Sequence, residues 1–142
     1  MDLITWNDEQ MNTGLELIDI QHKKLCGIIN SFANALDNEG KEETLEIIEH
    51  LIEYTKYHFL EEEKYFDQFE FEQKDFHKSE HAYFIDYFGE LKDIFENEKE
   101  HDKRVVDRLA RDMLKYLIEW FVTHISGTDR EYVELFKKKG II

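Results

Sequence analysis

Residues 57–66 read YHFLEEEKYF, and the register of this stretch decides the fold. It would be a solvated acidic helix if the surrounding apolar residues lay on a face away from His58 and Glu62. They do not. Ile48, Leu51, Thr55, His58, Glu62, Tyr65 and Phe69 follow one another at steps of three and four, the spacing that lines one face of an α-helix. His58 and Glu62 therefore point inward. Glu61 and Glu63 turn about 100° to either side and are expected in solvent.

The same rhythm extends outward from this helix, which spans about residues 41–66. Before it, Ile18, His22, Leu25, Ile29, Phe32 and Leu36 mark a helix over about 18–37 that Asn38-Glu39-Gly40 ends. After it, His77, His81, Phe84, Phe88, Leu91 and Phe95 mark a third over about 75–97. Beyond the polar connection Asn97-Glu98-Lys99-Glu100-His101, a fourth carries Val106, Ala110, Met113, Leu117, Trp120 and His124 on one seam. No proline interrupts any of them. Four amphipathic segments with short connections predict an all-α fold: an antiparallel up-down four-helix bundle with an N-terminal arm and a short C-terminal helix. With no internal repeat or linker composition, residues 1–142 are expected to form a single domain.

Composition narrows the function. A net charge of −15 argues against nucleic acid or an anionic membrane surface as partner, since both need a basic face, and favours a monomer. No apolar stretch approaches the length of a membrane span, and MDLITWNDEQ lacks the features of a secretion signal. A single cysteine, Cys26, fits a reducing compartment. A cytoplasmic location is expected. Cys26 itself reads as a small buried residue, although its position four after His22 leaves a thiolate near the site open.

In an up-down bundle the starts of odd helices and the ends of even ones share one end. His22 and the pair His77 and His81 open odd helices, whereas His58, Glu62 and His124 lie toward the ends of even ones, so five seam histidines converge. One core histidine is readily satisfied by a hydrogen bond. Five in one layer would each cost about 1–3 kcal/mol if left unpaired, whereas a metal takes one ring nitrogen from each. His58 with Glu62, and His77 with His81, have the i, i+4 spacing that lets two side chains meet on one ion.

Asp129 is the carboxylate expected to accompany His124, but five residues on it would sit about 140° around a straight helix. A break near Gly127 is therefore expected, with Thr128 and Glu131 spaced as a capping box and Asp129 in the first turn of a final helix ending at Lys137-Lys138-Lys139-Gly140. Imidazole and carboxylate without thiolate suit iron, manganese or zinc. Five histidines and two carboxylates exceed the needs of one ion. Two divalent ions with two carboxylates and a hydroxide would leave a charge of about +1, tolerable in a buried layer.

At these residues the sequence resembles the bacterial hemerythrins. The match takes in Trp6 and Gly14, Ile18-Asp19-Ile20-Gln21-His22, His58-Phe59-Leu60-Glu61-Glu62, His77 to His81, and Trp120-Phe121-Val122-Thr123-His124-Ile125 through Asp129. The resemblance implies a non-haem centre of two iron ions, oxo- or hydroxo-bridged, that binds dioxygen reversibly. It implies His77, His81 and His124 on one iron, His22 and His58 on the other, and Glu62 and Asp129 bridging, with the open position on the iron held by His22 and His58. Phe59, Trp120 and Ile125 are candidate walls that exclude water.

The expected role is oxygen storage, transport or scavenging rather than an enzyme's, with an oxygen-consuming enzyme among the candidate partners. A di-iron enzyme or sensor acting on oxygen, peroxide or nitric oxide is the alternative. A ferritin-like oxidase fits less well, because those sites rest on Glu-x-x-His motifs.

Overall fold

The computed structural model describes residues 4–97, 103–127 and 131–141. Six helices follow one another: α1 (Asp8–Met11), α2 (Glu16–Asn38), α3 (Lys41–Gln68), α4 (Lys74–Asn97), α5 (Lys103–Ser126) and α6 (Glu131–Lys138). The four long helices form the bundle, α2 packing on α3 and α5, and α4 on α3 and α5. The described residues contain no strand. The expected four-helix core, leading arm and short final helix are all present, and the boundaries differ from the sequence expectation by one or two residues, as fraying ends do.

The arm was expected only as a leading segment, yet it is built in detail. Asn7 caps the single turn of α1 by accepting from the Gln10 backbone N–H. Upstream, the Ile4 backbone both donates to and accepts from the Asn30 side chain, each at 2.9 Å. Where the chain turns into α2, Gly14 takes φ 89°, a left-handed value that favours glycine. The buried Asp19 carboxylate accepts from the Thr13 backbone and hydroxyl, each at 2.8 Å, and from the Gly14 backbone at 3.0 Å. Asp19, in the first turn of α2, thus ties the arm to the bundle.

The chain reverses after α3 and after α6 by the same device. Phe71 N–H bonds back to Phe66 C=O, and Ile141 N–H to Phe136 C=O, the long bond of a Schellman motif. The left-handed residue is Gly140 at the end of α6, but Glu70 at the end of α3 (φ 53°). Between α5 and α6, Gly127 follows the end of the helix as a turn. A Cβ there would lie 2.9 Å from the Thr123 carbonyl oxygen, so the expected break falls where only glycine fits. Thr128 and Asp129 lie outside the described residues.

Buried apolar residues fall into two clusters. The larger fills the bundle with Leu25, Ile29, Leu51, Phe59, Phe84, Phe88, Leu117, Phe121 and Ile125. The smaller gathers Leu15, Ile18, Phe66 and Phe71 around Tyr132, Val133 and Phe136 of α6. Along α2 the order is Ile18, His22, Leu25, and along α3 it is Phe59, Glu62, Phe66. The histidine layer therefore lies between the two clusters, and α6 closes it from the end. Cys26 belongs to the larger cluster, and burial pushes its thiol up to about 11. It packs as a small apolar residue.

Candidate metal centre

Six side chains from four helices reach the layer, each because its seam position faces the bundle axis. His22 comes from α2, His58 and Glu62 from α3, His77 and His81 from α4, and His124 from α5. All six residues are at least 96% buried. Ligand-type atoms of His22, His58 and Glu62 lie within 4.8 Å of one another, and so do those of Glu62, His81 and His124. Glu62 is common to both groups, as a bridging carboxylate would be. His77 shares the layer, its ring centroid 5.9 Å from that of His124, while its Nε2 stands 3.7 Å from Glu131 Oε2. Asp129 lies outside the described residues.

Neighbouring polar groups orient the imidazoles. His58 Nδ1 meets Gln21 Oε1 at 2.7 Å and His81 Nδ1 meets Glu63 Oε2 at 2.9 Å. An amide or carboxylate oxygen only accepts, so both rings donate from Nδ1 and turn Nε2 inward. Glu80 Oε2 lies 3.9 Å from His124 Nδ1. Tyr132 of α6 donates its hydroxyl to Glu62 Oε2 at 2.9 Å. Ring faces complete the orientation: Phe59 stacks on His81 at 3.8 Å and 4°, and Trp120 on His124 at 4.3 Å and 11°.

Sequence reasoning gave none of Gln21, Glu63, Glu80 and Tyr132 a role at the centre. Glu63 is a correction: it was expected in solvent, yet it is only 21% exposed and holds His81. Three of the four immediately precede or follow a seam residue, Gln21 before His22, Glu63 after Glu62 and Glu80 before His81. A polar residue about 100° off the seam faces the adjoining helix rather than water, and that is the signal that was available. Tyr132 carried no such signal, because its contact depends on the fold-back of α6.

The inward atoms test the site for a cation. His81 Nε2 lies 3.1 Å from Glu62 Oε1 and 3.2 Å from His124 Nε2. Glu62 Oε1 itself is buried without a hydrogen-bond partner among the described residues. Imidazole nitrogens and carboxylate oxygens gathered this closely in a buried layer call for positive charge among them, supplied by protons or by a metal ion. Burial alone would raise the Glu62 carboxyl, but the imidazoles of His22, His81 and His58 outweigh it and hold the group well below the usual carboxylate range. The donor set, its charge and its second layer of hydrogen bonds all fit a non-haem metal.

On the bundle side of the layer is a cavity of about 10 Å³. His22, His58 and His124 form its polar end, and Leu25, Leu51, Phe59, Leu117, Trp120 and Ile125 are among its apolar walls. A space of roughly one probe sphere holds a single water or a molecule of a few atoms. The three wall residues expected from the sequence, Phe59, Trp120 and Ile125, all line it.

A bundle that collects imidazoles around one shared carboxylate in a sealed layer belongs to the cation-binding helical bundles. The chain belongs to the hemerythrin family: residues 13–136 match the profile described as the hemerythrin HHE cation binding domain. A bacteriohemerythrin of Clostridium acetobutylicum is 32% identical over 136 residues, covering 93% of this chain and 100% of that one. A myohemerythrin of Theromyzon tessulatum is 30% identical over 125 residues, covering 88% of each chain. The crystal structure of a wild-type hemerythrin superposes with a TM-score of 0.81 at 22% identity, over 94% of this chain and 97% of that one. That likeness shows the common fold.

Proposed function

We propose that the chain binds dioxygen reversibly at a non-haem di-iron centre and serves oxygen storage, transport or scavenging rather than turnover. In this reading His77, His81 and His124 hold one iron and His22 and His58 the other, with Glu62 and Asp129 bridging beside an oxo or hydroxo group. The observation that carries it is the clustering of ligand-type atoms of His22, His58, His81 and His124 around Glu62, beside a cavity of about 10 Å³ whose polar end His22, His58 and His124 form. Membership of the hemerythrin family supports it. The acidic charge and lone cysteine support a cytoplasmic monomer folded as one domain.

Iron bound there would supply the electrons that make dioxygen capture and release reversible. The protein's own contribution is positional. Gln21 and Glu63 keep Nε2 of His58 and His81 aimed inward. Tyr132 holds one Glu62 oxygen, so the carboxylate cannot rotate out of its bridging posture. Phe59, Trp120 and Ile125 keep bulk water from the cavity, which disfavours escape of a charged, reduced form of oxygen and so slows irreversible oxidation. The size of the cavity favours a diatomic over any organic substrate.

The test is to count iron in the purified chain and to record absorption spectra through reduction, exposure to air and purging with argon. The expected result is about two irons per chain and a charge-transfer band that appears in air and fades reversibly under argon. Iron that oxidises once and never releases oxygen, with steady consumption of peroxide or nitric oxide, would replace this reading with the enzyme alternative.

A further inference from the structure

One run of rings is left over once the metal layer and the core have been accounted for. From His124 it passes to Trp120, stacked at 4.3 Å, to Phe84 at 4.3 Å, to Tyr116 at 6.1 Å, to Tyr87 at 4.7 Å and to Tyr83 at 5.9 Å. Core packing accounts for Phe84 and Trp120. It holds the Tyr116 ring as well, but it explains neither the Tyr116 hydroxyl nor Tyr83 and Tyr87. Tyr83 is 63% exposed and lies flat on Tyr87 at the surface, burying little. The Tyr116 hydroxyl is shut off from water with no hydrogen-bond partner among the described residues, an arrangement that costs about 1–3 kcal/mol relative to a satisfied group and that phenylalanine would avoid.

We propose that Trp120, Phe84, Tyr116, Tyr87 and Tyr83 form a redox path that draws oxidising equivalents from the His124 side of the metal centre to the surface tyrosine pair. The physiological sense of the path rests on the di-iron reading above. Electron tunnelling weakens exponentially with the gap between π-systems, and no step in this run exceeds 6.1 Å between ring centroids. The chemistry of each ring sorts the roles. Indole loses an electron without having to lose a proton. A phenol must lose both, and Tyr116 has no base to take its proton, which burial and the nearby Tyr83 and Tyr87 hold with a pKa of about 12. Tyr116 and Phe84 therefore bridge, whereas Tyr87 and Tyr83 can release their protons to water.

The oxidant required is of the peroxide class. Trp120 gives it one electron; Tyr87 or Tyr83 then returns one electron to the indole through Tyr116 and Phe84 and releases one proton, leaving a neutral tyrosyl radical at the surface. Two such transfers, one from each tyrosine, match the two electrons and two protons that turn one hydrogen peroxide into two waters. Two thiols in solution, each giving one electron and one proton to one radical, restore the two phenols and join as a disulfide. The path would thus protect the centre and Trp120 from oxidative damage.

The test is pulse radiolysis of the full-length chain as purified in air, with azide radicals as the oxidant and Trp6→Phe removing the other indole. The expected result is first-order conversion of the Trp120 radical into a tyrosyl radical, at a rate independent of protein concentration, and its loss in Tyr83→Phe/Tyr87→Phe. Because both changes are at surface rings, folding should survive them. No tyrosyl growth, or growth that persists in the double variant, would overturn the proposal. As a second readout, peptide mass spectrometry after peroxide treatment should find oxidised Tyr83 or Tyr87 in the Trp6→Phe chain but not once Trp120→Phe is added. The radiolysis reads the path whether or not iron is bound. Transfer in a chain that binds no iron would sink the functional reading alone, and an iron-loaded chain without transfer would sink the path alone.

Discussion

Glu62 is the residue on which both halves of the layer depend, since it belongs to the His22 and His58 group and to the His81 and His124 group alike. Replacing it with glutamine leaves the volume but removes the charge that balances a buried cation. Metal analysis of Glu62→Gln should find the iron content reduced to a trace. One layer out, Glu63→Gln and Gln21→Leu loosen the imidazoles without deleting a proposed ligand. Each should weaken iron retention about 10–100-fold, read as faster loss to a competing chelator.

Cys26 gives a pH signature. Folding raises its thiol from 9.0 to about 11 through burial, so the folded state favours the protonated form. The resulting stability is complete below about pH 9 and is lost as pH rises toward 11. Denaturation at alkaline pH should therefore be less steep in Cys26→Ala than in the parent, and iodoacetamide at neutral pH should alkylate the folded chain slowly.

At the scale of elements, the paired Schellman ends of α3 and α6 provide an internal comparison. Gly140→Ala places a Cβ on a left-handed residue and should destabilise the fold by about 1 kcal/mol. Glu70→Gly relieves the same strain. The gain of roughly 1–2 kcal/mol is partly offset by the greater entropy of glycine in the unfolded chain, leaving about 0.5–1 kcal/mol of added stability. Equilibrium urea unfolding would measure both. Asp19→Ala removes the acceptor of three hydrogen bonds that hold Thr13 and Gly14. It should cost roughly 3 kcal/mol and raise hydrogen exchange in residues 4–15 before the rest of the chain.

Much at this scale was legible beforehand. The four seams were readable because a buried helix face must repeat at steps of three and four, and the break at Gly127 because a carboxylate five residues after His124 would face away from it on a straight helix. The arm was not readable in detail. Its order depends on Asp19 and Asn30 reaching back across the chain, which no periodicity encodes. Glu63 was misplaced for a related reason: distance from the seam was equated with exposure, although the α4 helix covers that flank and supplies His81.

For the whole molecule, the two apolar clusters are separated by a layer of imidazoles and Glu62, with Phe59 of one cluster and Phe66 of the other both stacked on His81. A cation would join them. Iron bound a thousandfold above its dissociation constant contributes about 4 kcal/mol. Anaerobic chelation should accordingly lower the unfolding temperature, with exchange rising first in α6 and the smaller cluster.

The position of α6 has a further consequence for how the molecule is made. Every histidine of the layer and Glu62 precede it in the chain, and α6, eight residues long, is too short to hold its helix without the surface it packs on. A chain growing from its N-terminus therefore assembles an open cup before it can seal it. A metal entering the layer would meet an open path until Tyr132 comes over Glu62, so that docking of the last helix would close a loading window.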